Sequence, residues 1–417
     1  MSETRAAKMA ELPVTRPSSS TGGFPFATTG ILSLVLAVTV TAESLPAAIM
    51  PQMAASLGAN NLQIGLLLSA WALTVIVASI PLARFTRTVD RRLVVAGSLA
   101  VFALGSAVTA IAPTYEIALL SRVVTAAAHG LLWSVVIVYA TAILDSRHLG
   151  RGLAFVTGGV TVALALGLPL GAALALAGDW RIAFIGVALI VAALALIVAR
   201  LLPRVVPEAS VPTLDMQGAQ KREQQRDPTR APVAALLAAA LIFALGHFAL
   251  FSYITPYLAN AANFDEALTG PMLALFGAAG FIGIIVSGLT VDRWPTIALP
   301  LTFAGMALAV ATLAFASAVP WLVVAGVFVW GVALGALSPL MQTAVMRTAS
   351  PRLRATASAA LVVAFNGGIA AGSWLGGVIE SSAGTTMNAG VAAVTSAASV
   401  VLILIAQRLA ARAPKRE

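Results

Sequence analysis

Twelve apolar runs, each close to twenty residues long, constrain this chain more than any other feature of its sequence. A helix rises about 1.5 Å per residue, so about twenty residues match the roughly 30 Å hydrocarbon core of a bilayer. The runs fall at roughly 27–50, 62–82, 93–112, 117–141, 152–177 and 182–202. A second set lies at roughly 232–256, 267–291, 296–318, 321–345, 355–379 and 387–408. Such a chain folds in lipid as an all-α membrane protein, and its near absence of charge inside the runs argues against a soluble domain. Only 10% of residues are charged, against about a quarter in soluble proteins.

The two sets of six are variants of one pattern. Pro51, Gly65, Arg147, Gly167 and Gly171 recur 205 residues later as Pro256, Gly270, Arg352, Gly372 and Gly376. The pattern predicts two pseudo-symmetric six-helix bundles, residues 27–202 and 232–408, between tails 1–26 and 409–417. Residues 203–231 are rich in Pro, Gln and charge and carry no helical stripe, which reads as a flexible cytoplasmic linker. Two like halves of membrane helices imply a carrier that rocks about a site between them.

The net charge of +9 raises the question of nucleic acid, and the placement of the charges answers it. Of 25 Lys and Arg, 23 lie in the tails or near alternate connections, the exceptions being Arg122 and Arg181. Positive residues favour the cytoplasmic side, so both termini and the linker are expected there. The basic balance then reports topology and anionic lipid rather than nucleic acid. No cysteine occurs, so disulfides and thiolate metal sites are excluded, and no cofactor is implied. Three histidines, one of them the loop residue His148, do not form the cluster an enzyme would need.

Within the runs, Glu43 stands out in Val40-Thr-Ala-Glu43-Ser-Leu-Pro46. An acid at the centre of a span costs roughly 2.5–3.5 kcal/mol on insertion scales, so it should face a cavity or a partner. It reads either as a functional acid or as one hydrated near the outer interface. Arg122, at similar depth in the fourth run, is the expected partner, in a structural salt bridge or in a protonation-sensitive pair. His129 follows Arg122 by two turns on the same face, and Trp133 comes one turn later. Those two read as a solute contact or as packing, and the imidazole of His129 can also take a proton. His247 is expected to face the same outer half of the cavity as Glu43, with Tyr253 as a further solute contact and the buried amide Asn366 as either a solute contact or a helix-to-helix bond. Gly159, Gly167, Pro169 and Gly171 predict a fifth span that bends and packs closely.

These residues resemble the major facilitator superfamily and, within it, the twelve-span drug:proton antiporter group. Gly159 through Gly171 is similar to that group's fifth-span antiporter motif, and Arg122 to its buried arginine. More closely, Ala42-Glu43 with Pro51, Ser121-Arg122 through His129-Gly130 to Trp133, Leu166 through Gly171, Ser252-Tyr253-Ile254 with Pro256, and Phe365-Asn366 resemble bacterial sugar-efflux transporters. The resemblance implies a major facilitator fold and a monomeric inner-membrane exporter of sugars or similar small polar solutes by proton antiport. An exporter of drugs or nucleosides on the same scaffold is the alternative. It also implies Glu43 and Arg122 for proton coupling, and His129, Trp133, His247, Tyr253 and Asn366 for substrate. One segment departs from the family: where an acid is usual, Leu82 through Arg92 has arginine, so Asp90 and Arg91 either replace the cytoplasmic charge gate or are solvated loop charges. Asp292-Arg293 in the second half is nearer the pattern.

Overall fold

The computed structural model describes residues 25–144, 149–205 and 227–412. Arg147, His148, most of the linker and much of both tails lie outside them. Twelve helices among the described residues are long and apolar enough to cross a membrane. The first six are α1 Phe26–Ala48, α2 Asn61–Phe85, α3 Arg91–Ile111, α4 Tyr115–Ile143, α5 Phe155–Ala177 and α6 Trp180–Leu201. The second six are α7 Arg230–Phe251, α8 Thr269–Thr290, α9 Ala298–Phe315, α10 Pro320–Thr348, α11 Thr356–Ala383 and α12 Thr385–Arg412.

Local chemistry sets several boundaries. Asn60 accepts a bond from the Gln63 amide while the Gln63 side chain accepts from the Asn60 amide, and this reciprocal cap starts α2. Asp90 accepts from the Arg92 amide and starts α3. Gly384 alone separates α11 from α12, at φ 80°, a left-handed backbone that suits glycine.

The packing repeats as the sequence pattern does. In the first six helices, α1 packs on α5 and α6, α2 on α4, and α3 on α4 and α6. The second six show the same set, with α7 on α11 and α12, α8 on α10, and α9 on α10 and α12. The halves meet through α2 with α11 and through α5 with α8, two pairings that exchange under the same symmetry.

Recurrent glycines mark the closest approaches. A methyl on Gly159, Gly167 or Gly171 of α5 would collide with Ser33, Thr41 or Leu45 of α1, each 126 residues earlier. On Gly368, Gly372 or Gly376 of α11 it would collide with the α7 main chain at Leu241, Leu245 or Ala249, each 127 residues earlier. The two ladders occupy equivalent positions, so Gly167/Gly372 and Gly171/Gly376 recur because the same helix pair must touch in both halves. Between them, α5 widens by one turn of i→i+5 bonding over Ala163–Gly167, just before Pro169. A proline donates no amide hydrogen bond, and the wider turn accommodates that loss.

The loops α1–α2, α3–α4 and so on define an odd-loop face, and the remaining loops with both termini an even-loop face. Hydrogen bonds join the halves on the odd-loop side. Asn61 Nδ2 donates to Glu380 Oε1 at 2.8 Å, and Ser69 donates to the Ala370 carbonyl at 2.8 Å. Thr255 donates to the carbonyls of Ala47 and Ala48 at 3.0 and 3.2 Å. A continuous buried core crosses the halves there, from Leu45 and Met50 of the first to Phe251 and Tyr257 of the second. The bundle is therefore closed toward the odd-loop face.

Candidate functional site

Pro46 sits inside α1 and supplies no amide proton, so the carbonyl four residues earlier, that of Ala42, has no helical donor. Arg122 of α4 provides one. Its two terminal nitrogens donate to the carbonyls of Ala42 at 2.7 Å and Glu43 at 2.8 Å. The guanidinium lies 4.1 Å from the centre of the Trp71 ring of α2 and is 1% exposed. Charge-assisted bonds and a ring face together hold this cation out of water.

Arg122 was expected to pair with the Glu43 carboxylate, and it grips the Glu43 main chain instead. The reason is the proline, which leaves a carbonyl in greater need of a donor than a carboxylate that can still reach water. The carboxylate, 21% exposed, turns to His129, with Oε2 lying 3.4 Å from Nε2. His129 is itself 3% exposed and stands among the rings of Trp71, Phe102 and Trp133, with centroids 5.2, 6.0 and 6.3 Å away. Three buried nitrogens at this cluster have no hydrogen-bond partner: Trp71 Nε1, Arg122 Nε and His129 Nδ1. Trp71 was not anticipated, because nothing in a single apolar run shows which tryptophan will lie under a cation from another helix.

His247 lies elsewhere. It is 3% exposed, and instead of facing an open cavity with Glu43 it is enclosed by aromatic rings. Phe243 and Phe251 stack on it at 5.4 and 5.5 Å, and Phe248 meets it edge-on at 4.8 Å. Trp330 of α10 donates its indole N–H to His247 Nδ1 at 3.1 Å. An indole nitrogen only donates, so His247 Nδ1 must accept and the ring proton sits on Nε2. The spacing carried part of this arrangement, since Phe243 and Phe251 are one helical turn either side of His247.

Tyr253 is fully buried, and its hydroxyl donates to the Ser373 carbonyl at 3.0 Å, against Gly65 of α2. It fastens the interface of α7, α11 and α2, a different placement from the expected solute contact, because the whole side chain is enclosed there. Asn366 is half-buried rather than buried, and its amide donates to the Val362 carbonyl of its own helix at 3.0 Å.

At the even-loop face Asp90 has a structural duty. Besides capping α3 it accepts from the Val205 amide at 3.2 Å, while the Arg91 amide donates to the Val205 carbonyl at 2.9 Å, tying the end of α6 to the start of α3. Asp292 bonds Arg347 of α10, which also donates to the Val291 carbonyl at 3.0 Å. Arg293 lies over Trp294 with 5.6 Å to the ring centre. Arg181, one of the two cations off the topological pattern, bonds Ser56 and the Ala112 carbonyl at the odd-loop face.

Two matched six-helix sets with a buried charged cluster inside the first belong to a membrane transporter rather than an enzyme. The chain is a member of the Major Facilitator Superfamily, whose family model matches residues 32–373. It is 31% identical to a chloramphenicol efflux pump of Mycobacterium tuberculosis over 84% of each chain. It is 26% identical to a protein of Mannheimia succiniciproducens named "Probable sugar efflux transporter", over 88% of this chain and 90% of that one. Among solved structures, the peptide transporter POT with alafosfalin superposes with a TM-score of 0.71 at 16% identity, over 95% and 97% of the chains. A bacterial homolog of the lysosomal transporter Spinster superposes with a TM-score of 0.65 at 18% identity, over 93% and 97%.

Proposed function

We propose that the protein exports small neutral solutes across the inner membrane in exchange for protons, with the even-loop face and both termini in the cytoplasm. The observation that carries this reading is Glu43, an acid inside a membrane span, only 21% exposed and set against an imidazole and a buried guanidinium. An acid so placed is expected to be functional, and its partners bias whether it holds a proton. Closure toward the odd-loop face corresponds, on this topology, to the cytoplasm-open half of the cycle. The halves, 27–202 and 232–408, act as the two rocking bodies of a monomer.

Glu43 is the coupling acid and Arg122 its fixed neighbour. Trp133 reads the solute, with Asn366 at the margin, while the ladder of Gly159, Gly167 and Gly171 with Pro169 keeps α1 and α5 moving together. Asp90, Arg91, Asp292 and Arg293 brace the cytoplasmic loops that separate as the bundle opens.

The solute best supported is amphipathic, with an apolar ring and a few polar groups, because the half-buried Trp133 offers a ring face close to the Glu43 and His129 pair. The similarity to a chloramphenicol efflux pump supports the same choice. A sugar or similar polar solute is the second reading, favoured by the half-buried Asn366 and by the sugar-efflux relatives. Counterflow of radiolabelled chloramphenicol, arabinose and a nucleoside in proteoliposomes with an imposed pH gradient tests solute class and coupling together. Glu43→Gln should retain counterflow and lose uphill efflux, and gradient-driven efflux at the wild-type rate would remove Glu43 from the mechanism.

A further inference from the structure

We propose that His129 is the second member of the protonation unit, the exchanged proton being held between its Nε2 and the Glu43 carboxylate, and that it is not a solute contact. The proposal rests on the reading of Glu43 as the coupling acid. Its basis is geometric. The terminal nitrogens of Arg122 are both committed to main-chain carbonyls, so this cation is a fixed charge that exchanges no proton. The direct neighbour of the carboxylate is the imidazole, at 3.4 Å.

The surroundings of His129 leave few other roles. Trp71 of α2, Phe102 of α3 and Trp133 of its own helix stand around the ring, and none of them titrates. Among the described residues the charged group paired with it is Glu43 of α1, while Arg122 lies two turns away on the same helix. The other nitrogen, Nδ1, is buried and has no partner. A histidine built to bind solute would present that nitrogen to a cavity.

The transfer needs no other reactant. Protonated imidazole passes its Nε2 proton to Glu43 Oε2, the N–H bond breaks, the O–H bond forms, and two neutral groups remain. Glu43 is 21% exposed against 3% for His129, so exchange with water runs through the carboxyl group. With one proton on the pair the cluster carries a net charge of +1 from Arg122; without it the ionised carboxylate brings the sum to zero. A second proton would set two positive charges beside each other away from water, which disfavours it. The unit therefore carries one proton per cycle.

Infrared titration of the purified protein, with no solute added, reads the protonated-carboxyl band, and its loss in Glu43→Gln assigns it. In His129→Gln, which keeps an N–H near the Nε2 position but cannot titrate, the midpoint of that band should differ from wild type. Gradient-driven efflux should fall about tenfold or more, with the KM for chloramphenicol counterflow within about twofold of wild type. An unchanged midpoint with undiminished gradient-driven efflux overturns the proposal. So does a KM raised about tenfold with the gradient drive intact, which assigns His129 to the solute. Full efflux by Glu43→Gln overturns the underlying reading as well, and it is a separate result because His129 is intact in that variant. Nitrogen NMR of histidine-labelled wild type covers a variant that fails to fold: an imidazole signal titrating together with the carboxyl band supports the proposal, and one titrating apart from it overturns it.

Discussion

Replacing Arg122 by methionine while restoring the missing amide with Pro46→Ala tests whether the arginine serves a proline-orphaned carbonyl. The structure gives the terms. Arg122 donates to Ala42 and Glu43 at 2.7 and 2.8 Å, but only the Ala42 carbonyl has lost its helical donor to a proline. A buried acceptor left bare costs about 1–3 kcal/mol, and measured interhelical bonds in lipid average nearer 0.6. Arg122→Met should therefore destabilise, and Pro46→Ala in that background should recover about 1–2 kcal/mol. Pro46→Ala alone should change stability by less than about 0.5 kcal/mol, because a carbonyl has two lone pairs and can accept from both donors. The assay is equilibrium unfolding in mixed micelles, read as a double-mutant cycle. Effects that add within about 0.5 kcal/mol would refute the reasoning, since independent sites add to that degree.

Four further outcomes are expected. Gly372→Ala should destabilise by about 1–3 kcal/mol in a thermal melt, because its methyl would meet the Leu245 main chain, which cannot step aside. Gly97→Ala, with nothing within 4 Å, should be neutral or mildly stabilising in the same melt. Glu380→Ala removes the acceptor of Asn61 and should speed maleimide labelling of Ser373→Cys about threefold to tenfold, in a chain with no native cysteine to confuse the reading. Asp90→Ala removes the cap of α3 and the tie to Val205 and should lower stability by about 1 kcal/mol in a melt, with α3 the element that frays.

The fold was legible because its constraints are written in residue type. A span needs about twenty apolar residues, and a close helix contact needs a missing side chain, so apolar runs and recurring glycines carry both. The contact pairs of the two halves then follow the recurrence of Gly167 and Gly171 as Gly372 and Gly376. The site was legible only in its membership on α1 and α4. Glu43, Arg122 and His129 do come together, but sequence suggested that the two opposite charges would pair, and the main chain intervened. The signal was present, since Pro46 names Ala42 as a carbonyl in search of a donor. Trp330 as the partner of His247, and Ser373 as the acceptor for Tyr253, had no such signal. Their contacts join helices more than 80 residues apart, with nothing local to mark them.

Thr255 gives the closed face a further meaning. Pro51 deprives the Ala47 carbonyl of its helical donor just as Pro46 deprives Ala42, and Thr255, from the other half of the molecule, fills that gap. The first helix thus wears two splints. The one near Glu43 comes from its own half and travels with it; the one at its end is on loan from the opposite half and must be returned whenever the two part. Opening can therefore slacken the tip of α1 and leave the stretch around the acid rigid, so that Glu43 keeps its surroundings while the door beside it moves.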